Sequence, residues 1–151
     1  MKPILIGMNN PVSLKPGYEL YPLPEGCTGN RLFNMLKDNT CAEIRMRDYL
    51  NAFERRNLVV ASTYHKGIAK IRAAEITHEL FGSRRTVVLL GRDVQLAFGI
   101  PPLVVEPQLI GGIVFRQVPH PSGRNLYYNN PQNVRMVGEM LAMLYNESIR
   151  S

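Results

Sequence analysis

Short apolar runs alternate with helical stripes along this chain. Ile4-Leu5-Ile6 is continuous and apolar, so residues 3–7 are predicted as a strand buried on both faces. Residues 8–28 follow as a long loop rich in Pro, Gly and Asn, a length that is often functional. Leu32, Phe33 and Leu36 then give one apolar face to a helix from about Gly29 to Lys37. Thr40 and Glu43 have capping-box spacing, which predicts a second helix starting there and running to about Arg56. Leu58-Val59-Val60-Ala61 reads as strand two. Ile68, Ile71, Ala74, Ile76 and Leu80 recur at helical spacing, and Gly82 is the stop. Thr86-Val87-Val88-Leu89-Leu90 is strand three, its β-branched start favouring strand over helix. A short helix runs from about Asp93 to Phe98 and ends at Gly99. Leu103-Val104-Val105 is a short edge strand, and Ile113 to Val118 the last main strand. Asn130-Pro131 places an N-cap before a Pro at the first helical position. The closing helix has Val134, Val137, Met140, Leu141 and Leu144 on one face.

Strands that alternate with helices predict a mostly parallel sheet covered on both sides. The expected fold is therefore α/β, three-layer α/β/α, with a central, mainly parallel four-stranded sheet. All 151 residues fit one domain, since no linker, repeat or low-complexity segment interrupts them.

Composition adds constraints. The formal net charge of +6 fits a nucleic-acid partner without requiring one, and the basic residues are spread out. Arg45, Arg47, Arg55 and Arg56 are expected to form a solvated helix face with Glu43, Asp48 and Glu54. The methionines of the last helix, Met136, Met140 and Met143, are expected in the core. The two cysteines, Cys27 and Cys41, form no metal-binding pattern, so no metal and no cofactor is expected. So few thiols, with no signal peptide at the start, make a reducing cytoplasm the expected compartment. No apolar run approaches the ~20 residues of a membrane span. The chain carries no Gly-x-Gly-x-x-Gly, no phosphate-binding Gly-Lys-Ser/Thr loop, no Gly-x-Ser-x-Gly elbow and no His-Glu-x-x-His. The common nucleotide-binding loops and the motif-based hydrolases are thus without local support.

Two polar motifs remain. Gly7-Met8-Asn9-Asn10-Pro11 follows the first strand, and His120-Pro121-Ser122-Gly123-Arg124-Asn125 follows the last. Each lies just past the carboxyl end of its strand, the edge at which open α/β sheets bind ligands.

These motifs resemble those of the uracil-DNA glycosylase superfamily. Gly7-Met8-Asn9 is similar to the Gly-Met-Asn-Pro-Gly of the single-strand-selective branch, and His120 to Asn125 to that branch's His-Pro-Ser-Pro-Arg-Asn. Gly26-Cys27-Thr28-Gly29-Asn30-Arg31-Leu32 resembles the Gly-x-x-Gly-x-x-Leu of the thermostable bacterial and archaeal branches. Val88-Leu89-Leu90-Gly91-Arg92 resembles the third strand with its trailing Gly-Lys. The resemblance covers about residues 3–149.

The resemblance implies a monofunctional DNA glycosylase that hydrolyses the N-glycosidic bond of uracil, or of a related or modified pyrimidine, with water as nucleophile. The partner would be DNA, single- or double-stranded, with the target base flipped out of the stack. His120 would donate to the departing base, which a neutral imidazole can do. Asn9 would position the water through its amide oxygen. This chain has an extra residue in the motif, Gly-Met-Asn-Asn-Pro, so Asn9 or Asn10 can fill that place. Gly7 and Met8 would line the base site, Tyr21 would stack on the base, and Ser122, Gly123, Arg124 and Asn125 would engage the strand. Many members read the uracil edge with an Asn at the end of strand two. Here Leu58-Val59-Val60-Ala61 continues into Ser62-Thr63 with no Asn, so Ser62 or Thr63 is the expected base contact. Two other readings fit the same motifs: a glycosylase-like DNA-binding protein without catalysis, and a hydrolase of free nucleosides or nucleotides.

Overall fold

The computed structural model describes residues 1–10, 13, 15–60, 65–101 and 106–150. Strand β1 (Ile4–Gly7) leads through a long loop, with one 3-10 turn at Pro16–Tyr18, into helices α1 (Thr28–Asp38) and α2 (Met46–Ala52). Then come β2 (Glu54–Asn57), α3 (Lys66–Leu80), β3 (Thr86–Leu90), α4 (Arg92–Phe98), β4 (Gln108–Ile110), β5 (Ile113–Val118), a 3-10 turn at Leu126–Asn129 and α5 (Pro131–Arg150). The fold is α/β with one five-stranded sheet in the order β2-β1-β3-β5-β4. The first four of these strands are parallel, and β4 runs antiparallel to β5.

Successive strand residues point to opposite faces, and both faces are buried. Leu5, Val88, Leu90 and Val118 pack with Leu32, Leu36, Tyr49, Val137 and Leu141, from α1, α2 and α5. Ile4, Ile6, Val87, Leu89, Ile113 and Phe115 pack with Ala69, Ala73, Ile76, Leu80 and Val94, from α3 and α4. The uninterrupted apolar runs of β1 and β3 follow from this double coverage.

β1, β3, β5 and the start of α5 lie where the apolar pattern predicts them. The Asn130 side chain caps α5, accepting from the Gln132 amide at 2.9 Å. Gly99 ends α4 in the left-handed conformation, at φ 71°. Four elements differ from expectation.

The sheet has five strands rather than four. The added strand, β4, forms a hairpin with β5 through Gly111 and Gly112, both at positive φ, and Ile110 pairs with Ile113. Two consecutive positive-φ residues make the turn whose twist matches paired strands, and glycine adopts it without strain. The edge strand expected at Leu103–Val105 falls outside the described residues.

The second helix starts at Met46 and ends at Ala52, not at Thr40 and Arg56. The Thr40 hydroxyl instead meets the carbonyls of Lys37 and Ala42. The start is held by Asp48, whose carboxylate accepts the Arg45 backbone N–H at 2.8 Å.

Strand two is Glu54–Asn57, four residues before the expected run. It is an edge strand, so its outward side chains are charged and it carries no apolar signature. Leu58 and Val59 continue alongside Met8, through Leu58 N–H to the Gly7 carbonyl and Val59 N–H to the Met8 carbonyl. Arg55 and Arg56 accordingly stand on a strand rather than a solvated helix. Arg55 donates to the carbonyls of Gly17 and Glu19, and Arg56 pairs with Glu54 and Glu79.

In α3 the buried stripe is Ala69, Ala73, Ile76 and Leu80, while Ile68, Ile71 and Ala74 are exposed. Small alanines let the helix approach the sheet closely, and that contact overrides the larger isoleucines. Met136 and Met143 of α5 are exposed rather than core, and Met140 is half-buried. Among the described residues no helix is long and apolar enough to cross a membrane.

Candidate active site

From β1 the chain moves outward to β2, and from β2 it crosses back to β3. The topological reversal therefore lies between β1 and β3, where carboxyl-end loops part and leave a crevice. A cavity of about 380 Å³ sits at this edge, a volume suited to one small ligand. Its wall includes Gly7, Asn9, Tyr21, Asn57, His120 and Ser122. The two polar motifs, far apart in sequence, meet there.

Asn57 ends β2 directly opposite Gly7 of β1. The residue is 7% exposed, and its Oδ1 is buried without a hydrogen-bond partner. A Cβ on Gly7 would stand 2.8 Å from that oxygen and 3.3 Å from Leu20, so glycine is the residue that lets the Asn57 amide lie across the end of β1. Sequence reasoning missed Asn57 because it placed strand two four residues late. Serviceable signals were the aromatic Phe53 before Glu54 and the position of Asn57 immediately ahead of an apolar run. Ser62 and Thr63 lie outside the described residues.

The two asparagines of motif one have different surroundings. Asn10 is built into the loop, its Nδ2 donating to the Tyr18 carbonyl at 3.1 Å and its Oδ1 accepting from the Ser13 amide at 3.2 Å. Both asparagines line the crevice, together with His120. Met8 also lines it and packs against the α3–α4 side of the core.

The loop after β1 supplies more of the lining. Tyr21 lies edge-on to Tyr18, their centroids 5.4 Å apart, and both face the cavity with Leu23 and Pro24. This loop is clamped to α1 and α2. The buried Tyr49 hydroxyl donates to the Leu20 carbonyl at 2.8 Å, and burial pushes that hydroxyl's pKa well above its usual value. The Cys27 sulfur caps α1, accepting from the Asn30 amide, while its thiol donates to the Tyr21 carbonyl. At Gly29 any Cβ would collide with the Leu20 and Tyr21 carbonyls, which explains the glycine of the third motif.

His120 stands at the mouth of the cavity. Loss of water around the ring lowers its pKa below the usual imidazole value, and the Asp93 carboxylate offsets part of that. The ring is therefore neutral at pH 7. Gly91, at φ 97°, leaves room for it, since a Cβ there would lie 3.1 Å from the His120 Cβ. The loop behind His120 is self-braced. Asn125 Nδ2 donates to the His120 carbonyl at 3.0 Å, and its Oδ1 accepts from the Tyr127 amide. The Ser122 hydroxyl accepts from the Arg124 amide, and the Tyr128 hydroxyl donates to the Pro119 carbonyl at 2.5 Å. Asn125 thus shapes the loop, while Arg124 is exposed at its tip. Arg31, which the motif reading did not single out, lies under the loop. A Cβ on Gly123 would come 2.5 Å from its guanidinium.

The crevice thus combines a buried amide, a second amide at the mouth, a neutral imidazole, an aromatic wall and two arginines beside a glycine loop. No protein-family model matches the chain, and no curated protein is significantly similar to it.

Proposed function

We propose that this chain is a monofunctional DNA glycosylase, hydrolysing the N-glycosidic bond of uracil or a related pyrimidine with water as nucleophile. The observation that carries the reading is Asn57: a buried amide with an unpartnered oxygen, opposite Gly7, in the same cavity as Asn9 and His120. An amide presents an acceptor and a donor side by side. The edge of uracil presents the complementary pair, its N3–H and a carbonyl. A buried oxygen left unpaired rejects any base that cannot donate to it.

The other side chains fit the remaining steps. Tyr21 offers a face for stacking. As the bond to the sugar breaks, negative charge gathers on the base, and His120 donates a hydrogen bond to a base carbonyl while remaining neutral. Asn9 orients the attacking water from the cavity that His120 also lines, while Asn10 braces its loop. Arg124 and Arg31 supply charge for phosphates beside the Ser122-Gly123 backbone. The two core clusters, one on each face of the sheet, support the three-layer arrangement that goes with this family.

A strand-cleavage assay tests the reading. The protein is incubated with uracil-containing single- and double-stranded oligonucleotides, and abasic sites are then cut with alkali. Cleavage is expected from the wild-type protein, with His120→Ala slower by roughly 100- to 1,000-fold, the usual effect of deleting one transition-state donor. Binding of the same oligonucleotides without any abasic product would overturn the catalytic reading.

A further inference from the structure

A second cavity, of about 1020 Å³, adjoins the first and shares Met8, Asn9, Leu90 and His120 with it. It lies along the part of β5 that β4 does not reach. β4 pairs with β5 only as far as Phe115, so Arg116, Gln117 and Val118 have no strand on that side among the described residues. Gln117 alternates with Ile113 and Phe115 and so faces α4, the helix that carries Gln95. Gln95 is 6% exposed, yet its Nε2 has no acceptor. The buried Oε1 of Gln117 has no donor. One donor and one acceptor, on two residues that line a single cavity, are therefore left over, and they do not satisfy each other. The Nε of Arg116 is a second buried donor without a partner. Much of the remaining wall is apolar, including Val94, Val137 and Met140.

A ligand that completes this cavity is flat, has apolar faces and carries an acceptor beside a donor on one edge. We propose that it is a second nucleobase subsite, holding the base adjacent to the one bound against Asn57. Gln95 and Gln117 read the edge of that base, and Arg116 takes an oxygen of the linking backbone. The identity of the neighbour as a nucleotide rests on the glycosylase reading. The unpaired glutamines themselves do not.

The test is side-chain amide NMR on the wild-type protein. The probes are deoxypseudouridine monophosphate and its dinucleotide with thymidine, whose C-glycosidic bond cannot be hydrolysed. The dinucleotide is expected to shift the Gln95 and Gln117 amides and to bind on the order of tenfold tighter than the mononucleotide, the usual contribution of one further base contact. In a Gln95→Leu/Gln117→Leu double variant the dinucleotide should fall to the mononucleotide's affinity, with the latter unchanged. If the Asn57 amide shifts and both glutamines stay still, the subsite is wrong and the glycosylase reading survives. Glutamine shifts with a silent Asn57 would uphold the subsite and count against the first pocket. Silence at all three positions overturns both.

Discussion

Gly7 and Asn57 show how one residue dictates another. The glycine is legible in the sequence as part of a turn, but its physical reason is the amide lying across it, 2.8 Å from where a Cβ would sit. Asn57→Leu removes a buried oxygen that has no partner in the folded protein, so the melting temperature should not fall. Excision of uracil from oligonucleotides should drop by roughly 100-fold or more, because the base then loses its paired contact. A variant that keeps full activity would remove Asn57 from the base site. His120 gives a second prediction with a definite sign. Loss of surrounding water lowers its pKa and Asp93 raises it, so Asp93→Asn should lower it further, as read by the ring-proton shifts in an NMR titration. An upward shift would mean that Asp93 is not the carboxylate acting on the ring.

At the scale of elements, apolar periodicity located what is buried on two faces and mislocated what is not. β1, β3 and β5 are internal strands, so their apolar runs mark them directly. β2 is an edge strand built from Glu54-Arg55-Arg56-Asn57, and its neighbour Leu58-Val59 drew the prediction away. In α3 two alanines, not two isoleucines, meet the sheet, because close approach outweighs side-chain size. The β4–β5 hairpin depends on Gly112, at φ 72°, where a Cβ would lie 2.5 Å from the Gly82 Cα. Neither backbone can swing aside, so Gly112→Ala should cost about 1–3 kcal/mol in a denaturant titration. The hairpin turn joins the amino end of β5, away from the crevice at its carboxyl end. Catalytic rate below the melting point should therefore be unchanged, and a rate loss at constant stability would show that the hairpin reaches the site.

At the scale of the molecule, the reversal of strand order between β1 and β3 gathers Gly7, Asn9, Asn57 and His120 at one edge. The formal charge of +6 has no long basic run, and Arg31 and Arg124 lie beside the loop of Gly123. Affinity for single-stranded oligonucleotides should fall linearly on a log–log plot against salt, with a slope of about −0.7 per phosphate neutralised. Arg124→Gln should flatten that slope by roughly one such unit, measured by fluorescence anisotropy, and an unchanged slope would take Arg124 off the strand. The sequence by itself determined the alternation of strands and helices, the glycines that stop them, and the two motifs at the ends of β1 and β5. Those are local properties: apolar period, cap chemistry and backbone freedom are written into neighbouring residues. Only the tertiary structure decided that Asn57 joins Asn9 and His120 in the first crevice, that Asn10 bonds within its loop, and that Gln95 and Gln117, each with one unpartnered buried atom, line a second cavity. Each of these depends on strand register and on which helix covers which face, and register is fixed by contacts between residues that the chain itself keeps far apart.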